Sequence, residues 1–435
     1  MNIQQSSKLP FEELIAESFE GVTGDWHHEL CKRGFQNYVD VGWPGAKNES
    51  WKYTNLNKLG SHSFSIAKDY STAIPEDMII PLDCPRLVLV NGVFNSELSD
   101  QKLLPEGIAL TPLANLSDHQ KTFFDDLRLG KEIKYALPLA SLNTAMFSDA
   151  LVLELAEGTE LSSPIHIISI GSGSQITFAP RIVVNVGKEA KLDVIESHVG
   201  ASSGMYFSNS VVQFNLQDGA KVGHYKLQNE SNESFHISLT KVLIKERAIY
   251  DNFTISLGGI LSRNEIQAHI TGSGAECCVN GTYLGAGSQH IDNTTLIEHI
   301  AEGSCSREVF KGVLGDRARG VFQGKILVHP DAQKTDGYQM NRAMLLSDQA
   351  EINSKPELEI YADDVRCSHG ATVGELEEEH IFYLRARGIG RERARRMLIG
   401  AYISDAIDEI KNTGIRSSIQ GVAENWLKHN LYEKK

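Results

Sequence analysis

From about residue 141 the chain alternates in short runs. ALVLELAEGTEL, PIHIISIGSGS, RIVVNVGKEAKLDVIESHV and SVVQFNLQDGAKVGHYKLQ are rich in β-branched residues and are separated by Gly, Ser, Asn or Asp. Period-two alternation bounded by turn formers predicts strands. A landmark recurs along these runs: a turn, then an alanine, then polar–apolar alternation. It falls at Ala190, Ala220, Ala248, Ala275, weakly at Ser304, and at Ala350, with intervals of 30, 28, 27, 29 and then 46 residues. The long gap holds a further landmark, Ala318, 14 residues after Ser304 and 32 before Ala350. A repeat of roughly 27–30 residues without helical segments predicts stacked coils of a parallel β-helix. A propeller blade needs about 40 residues, and a hexapeptide solenoid would show a six-residue period that is absent here. One coil cannot bury its inward side chains alone, so stacking supplies the core. The two ends of such a stack are sheet edges that must be covered or paired.

The flanks follow a different pattern. Pro10 opens a short amphipathic helix, and Trp26 to Tyr38 predicts another. RLVLVNGVFN, with Asn91-Gly92 between apolar runs, predicts a hairpin. A helix is expected near Asp118 to Leu127. After Gly374 the pattern turns helical. GELEEEHIFYLRARG is acidic at its start and basic at its end, as the helix dipole favours. Arg391 to Ile410 predicts a second helix, with Ala394, Met397, Leu398 and Ala401 on one face, and Gly421 to His429 a third. The expected class is mainly β, a parallel β-helix core flanked by α-helical regions. The segments are 1–140 (helical and mixed), 141–366 (β-helix) and 367–435 (helical).

Composition narrows the function. The 435 residues carry a net charge of −14, which argues against a general nucleic-acid binder. Six cysteines without a C-x-x-C pair point to free thiols in a reducing compartment. The first twenty residues lack the apolar core of a signal peptide, and no apolar run approaches the roughly 18 residues that span a bilayer. A cytoplasmic protein without membrane partners is expected.

Candidate chemistry is sparse. No G-x-x-x-x-G-K-[ST] occurs, so the chain is not a P-loop ATPase. His27, His28 and Cys31 have ligand-like helical spacing, but nothing completes the set, so surface histidines beside a small buried cysteine are expected. Cys277 and Cys305 lie one coil apart, but their offsets from the landmarks put them on opposite faces, while Cys278 shares the face of Cys305. Packing is the simpler role for them. Arg385, Arg387, Arg391, Arg393, Arg395 and Arg396 form the densest charge cluster, either a solvated helix end or a docking surface for an acidic partner. Cys367 and His369, in YADDVRCSHGATVG, form a C-x-H pair at the join of the strand and helix patterns. By spacing alone this is a weak signal.

YADDVRCSHGATVGELEEEHIFYLRARGI resembles the C-terminal signature of the SufB/SufD family of iron–sulfur cluster assembly proteins, and is closer to its SufD branch. ESWKYTNLNKL, LVLVNGVFN and LNTAMFSDALVLEL resemble family segments in the same order, so the likeness runs from about residue 50 to 410. It implies a right-handed parallel β-helix in a non-catalytic scaffold subunit. Such a subunit pairs with SufB and docks the ATPase SufC through its C-terminal helices, here through Phe382, Tyr383, Arg385, Arg387, Arg391 and Arg395. It implies that His369 lies at the shared interface where a transient iron–sulfur cluster forms, as a transient metal ligand, with Cys367 a lesser candidate. It implies no cofactor held tightly by this chain alone, and a possible homodimer when the chain is isolated. The stretch YQMNRAMLLSDQA, Tyr338 to Ala350, lacks the cysteine that SufB-like chains place there. The alternatives are a SufB-like primary scaffold that holds a cluster itself and a β-helix enzyme acting on acidic polysaccharide.

Overall fold

A computed structural model describes residues 9–19, 25–124 and 137–432. Its centre is a parallel β-solenoid of about eight turns. Each turn contributes one strand to each of two sheets, one of eleven strands and the other of ten. In the first sheet, Tyr206–Leu216, Phe235–Ile244, Leu261–Ile270, His290–His299, Arg319–Val328 and Glu351–Ile360 stack in parallel register. In the second, the order is Lys191–Gly200, Lys221–Asn229, Ile249–Ser256, Glu276–Gly285, Cys305–Leu314, Asp336–Leu345 and Arg366–Glu375.

The alanine landmark is the corner of the solenoid. Ala190, Ala220, Ala248, Ala275 and Ser304 each immediately precede a strand of the second sheet and are buried. The residue before each of them has positive φ: Glu189, Gly219, Arg247, Gly274 and Gly303. A left-handed residue turns the chain, and a small side chain then fits where successive coils pass closely. Ala318 and Ala350 are likewise buried just before strands of the first sheet, but no left-handed residue directly precedes them. The 46-residue interval is therefore a change of sheet, not a longer coil. Thr335 and Val365 occupy the second-sheet corners that the pattern missed.

The lumen has two halves. One is apolar, running from Leu153, Ile182 and Leu192 through Phe214, Tyr250 and Cys277 to Phe310 and Phe322. The other is polar. Glu196 accepts from His198 (2.5 Å) and His224 (2.8 Å), and Lys226 donates to Ser238 (2.8 Å) and Asn264 (3.3 Å). These groups are sealed from solvent, so each depends on the others for the bonds that water would otherwise make.

Helical elements cover the outer faces. Ile15, Tyr38, Trp51, Leu59 and Leu142 pack on Phe207, Phe235 and Ile237 of the first sheet. Buried Arg263 pins this layer: it pairs with Asp292 (2.6 Å), donates to the Ser50 carbonyl (2.9 Å) and lies 4.0 Å from the Trp51 ring centroid. The segment ESWKYT is thus a docking latch for the N-terminal region. At the C-terminus, helices Arg391–Ile407 and Thr413–Leu427 set Ile399, Ile403, Ile407, Ile415 and Ile419 against Ile195, Tyr225 and Phe253 of the second sheet. Burying one such isoleucine is worth about 1.5–3 kcal/mol.

The helical face predicted from Ala394, Met397, Leu398 and Ala401 needs correction. Ala394 is buried, but Met397 and Ala401 are exposed, and the packed stripe is Ile399, Ile403, Ala406 and Ile407. Two apolar stripes coexist on this helix, and the isoleucine-rich one takes the sheet. The third helix begins at Thr413, eight residues before its expected start, with Asn412 capping it. The helix expected at Asp118 to Leu127 covers Asp118–Thr122, and residues 125–127 lie outside the described residues. The hairpin forms as expected: Arg86–Val90 pairs with Val93–Asn95, and Asn91 and Gly92 both adopt positive φ.

The two ends of the solenoid differ. At the start, Arg86–Val90 and Ile108–Pro112 extend the two sheets, so residues before 140 join the solenoid as well as flanking it. At the far end, Glu351–Ile360 and Arg366–Glu375 are the terminal strands of their sheets. Among the described residues each pairs on one side only. The strand pattern runs to Glu375, and the first C-terminal helix starts at Glu378.

Candidate functional site

The last strand, Arg366–Glu375, carries Cys367 and His369 two residues apart, so both point to the same side. Register shows which side that is. His369 aligns with Gln339 on the preceding coil and Gln339 with Glu308, which are fully buried in the lumen. Earlier in the same column stand Val279, Asn252 and His224. Cys367 aligns with Gly337, Ser306 and Cys277, also lumen-facing. His369 and Cys367 therefore stand over the mouth of the solenoid, on the inward side of a coil with no coil above it. His369 is exposed for that reason, while Cys367 is half-buried beside Ile326, Val328 and Val365. A Cβ at Gly337 would lie 3.3 Å from the Cys367 sulfur, so the glycine makes room for the thiol. Burial pushes the Cys367 thiol up from its ordinary value. An imidazole and a thiol are both competent ligands for iron.

Below this mouth, Glu308 is the buried ionisable group nearest in register. Its carboxyl accepts from the Thr295 hydroxyl (2.5 Å) and from the Gln339 amide (2.7 Å), and burial pushes it up to about 7. The sequence reading missed both Glu308 and Gln339. The signal that could have found them is their register with His369, two and one coils earlier.

The arginine-rich segment sits on the exposed side of the C-terminal helices. Phe382 and Tyr383 are 71% and 55% exposed, and Met397 is 46% exposed. The Arg387 guanidinium lies 3.6 Å from the Tyr383 ring centroid, and Arg391 bonds Glu378 at 2.5 Å. Arg385, Arg387 and Arg391 are exposed, and Arg395 is half-buried. Large apolar side chains held beside arginines on an exposed helix face have the composition of an interface core.

The remaining candidates resolve into packing. His28 is buried rather than on the surface, a correction to the expectation for that helix. His27 Nε2 lies 3.0 Å from the Phe147 carbonyl and 3.4 Å from Cys31 Sγ, and burial drives the Cys31 thiol up to about 12. Cys277 is sealed in the apolar lumen while Cys305 is exposed, on opposite faces as the landmark offsets predicted. Among the described residues, no group of three or more His, Cys, Asp or Glu has the geometry to hold a metal ion. A cleft of about 1060 Å³ lies over the outer face of the first sheet. There Glu298 is clamped by His269 (2.5 Å) and His329 (2.7 Å), which hold its carboxyl down at about 2. No sequence motif marks that cleft, because its residues come from six coils and from the segments 47–51 and 137–140.

The chain is a two-sheet parallel β-solenoid whose last strand carries an imidazole and a thiol on its inward side. Residues 168–402 match the SufBD core domain of the SUF system for iron–sulfur cluster assembly, and residues 25–167 match the SufBD N-terminal region. The chain is 33% identical to an iron–sulfur cluster assembly SufBD family protein of Synechocystis, covering 87% of this chain and 86% of that protein. It is 31% identical to the iron–sulfur cluster assembly protein SufD of Escherichia coli, covering 91% and 94%. It is 28% identical to a chloroplastic protein of Arabidopsis thaliana, covering 98% and 88%. This chain belongs to the SufBD family of iron–sulfur cluster assembly proteins. No described helix is long and apolar enough to cross a membrane.

Proposed function

We propose that this chain is a SufD-type, non-catalytic scaffold subunit that builds an iron–sulfur cluster jointly with a SufB-type partner. The observation that carries the reading is the open end of the solenoid: two terminal strands whose outer edges are unpaired among the described residues, and exposed His369 on the lumen side of the last one. Unpaired edges favour continuation by another chain's strands. A partner seated there would bring its own donors to His369. The stretch Tyr338 to Ala350 contains no cysteine, so the sulfur-accepting thiol at that position comes from the partner. The imidazole of His369 binds iron reversibly while the partner's thiolate carries sulfur, and Cys367 is a lesser candidate for a second ligand. The nascent cluster is cargo and leaves for an acceptor.

The same reading assigns Phe382, Tyr383, Arg385, Arg387, Arg391 and Arg395 to the ATPase subunit, SufC. The exposed aromatic pair would anchor that contact and the guanidiniums would orient it. ATP-driven pairing of two such subunits would then twist or open the solenoid ends. Without its partner, the exposed edge would pair with a second copy of this chain.

Co-expression with SufB and SufC tests the proposal. The expected result is a complex that co-purifies with the wild-type chain and with His369→Ala, but forms cluster only with the wild type. Normal cluster loading in the His369→Ala complex, or a stable cluster on the isolated chain after anaerobic reconstitution, would sink it. In the second case a SufB-like scaffold would replace it.

A further inference from the structure

The buried column beneath His369 is built rather than incidental. Glu308, Gln339 and His369 occupy equivalent positions on three successive strands of the second sheet. The Gln339 amide crosses the lumen above Gly324 of the opposite sheet, where any Cβ would lie 2.2 Å from its nitrogen. Gly324 is thus the space the amide fills. That nitrogen donates to Glu308 at 2.7 Å, and the other Glu308 oxygen is held by Thr295. An amide carries its oxygen on the side opposite its nitrogen, so Gln339 Oε1 is turned away from Glu308. Gln339 is fully buried, and among the described residues this oxygen has no partner. A buried carbonyl oxygen left without a donor costs about 1–3 kcal/mol, which is a reason to expect one. The next residue in this column is His369.

We propose that Gln339 is a positioning residue for His369: its Oε1 accepts a ring N–H from the imidazole, fixing one tautomer and turning the other ring nitrogen, as a lone-pair donor, out of the mouth. Glu308 orients the amide. A carboxylate beside the amide accepts from its nitrogen and repels its oxygen, so the charge on Glu308 selects which end of Gln339 faces His369. If Glu308 takes a proton it donates instead, the amide is free to reverse, and its NH2 then meets the ring. Burial that brings Glu308 near neutrality places this change close to physiological pH. The arrangement parallels metal-binding histidines, whose second nitrogen is tied to a carbonyl or carboxylate that sets which nitrogen binds. It deepens the reading of His369 given above and rests on it.

The test is long-range proton–nitrogen NMR of the full chain labelled at histidine, with the His369 signals assigned by their loss in His369→Gln. The wild type is expected to show one dominant neutral tautomer at His369. Gln339→Met, matched in length but without an acceptor, is expected to give mixed tautomers, and Glu308→Gln a partial mixture. His119, exposed on the helix Asp118–Thr122, serves as an internal reference that should not change. Circular dichroism establishes that each variant is folded. Should Gln339→Met fail to fold, Glu308→Gln and the pH dependence of the wild-type tautomer ratio carry the test. An unaltered His369 spectrum in a folded Gln339→Met chain, or in Glu308→Gln if that is the variant that folds, would overturn the proposal. Its failure is separable from that of the functional reading: tautomer selection is read on the chain alone, and cluster formation on the complex.

Discussion

His224 and His369 stand in one column of the second sheet, five coils apart, and differ in what lies above them. His224 is sealed in the lumen, bonded to Glu196 (2.8 Å) and Tyr250 (2.8 Å), and burial lowers its proton affinity. His369 has the same backbone setting and the same inward direction, but the stack ends at its coil and leaves it exposed. Coverage, not residue type, separates a structural histidine from one available to a ligand or partner. The same holds for the cysteines of the adjacent column, where Cys277 is sealed and Cys367 is half open.

The largest expected effect comes from breaking the sealed end of that comparison. Glu196→Leu removes the acceptor shared by His198 and His224 and the nearest countercharge of Lys226. It should cost about 3–5 kcal/mol, because partners remain buried without compensation. Urea denaturation at pH 7 measures this, and a loss below ~1 kcal/mol would mean that the lumen network is relaxed by water. A smaller effect separates buried Glu308 from outward-facing Glu298. The Glu308 carboxyl is raised from its ordinary 4.5 to about 7. Between those values the native chain keeps a proton that the unfolded chain has released. Its contribution is therefore full below pH ~4.5 and is lost as pH rises through 7, by about 1–3 kcal/mol. Glu298, held down at about 2 by His269 and then His329, has the opposite sign. Its contribution is present above pH ~4.5 and is lost as pH falls toward 2. Denaturant midpoints of Glu308→Gln and Glu298→Gln across pH 3–8 should lose these two slopes separately. Parallel curves for wild type and both variants would refute the assignment.

The exposed face should behave differently again. Phe382→Ala with Tyr383→Ala is expected to leave stability within about 0.5 kcal/mol, since both side chains face solvent, while binding of the ATPase subunit weakens at least about tenfold. Titration calorimetry with that subunit reads it, and unchanged affinity would move the docking site elsewhere. Smallest of all is the stability change for His369→Ala, within about 0.5 kcal/mol by thermal melt, because water entering the vacated mouth takes over as donor to Gln339 Oε1. A large loss there would make His369 a structural residue like His224.

Much of this was legible in the chain. The corner alanines follow from a rule that acts within one turn: a left-handed residue and then a small one. Hence Ala190 to Ala275 mark real coils. The Asn91-Gly92 hairpin is equally local. What went astray involved choices between equivalent local solutions. Strands of either sheet can follow a small buried alanine, so Ala318 and Ala350 look like Ala275 while belonging to the other sheet. The helix Arg391–Ile407 has two apolar stripes, and only the outer face of the second sheet, with Tyr225 and Phe253 waiting, selects the isoleucines and leaves Met397 exposed.

By itself the sequence determined the repeat, the strand and helix types, the family and the C-x-H pair, because alternation, turn chemistry and motif spacing are properties of neighbours along the chain. Register, coverage and the buried column were decided only by the tertiary structure. Glu308, Gln339 and His369 are about thirty residues apart in sequence and become one column because parallel coils stack in register. Whether a side chain in that column is sealed or available depends on whether another coil follows, and only the folded stack contains that information.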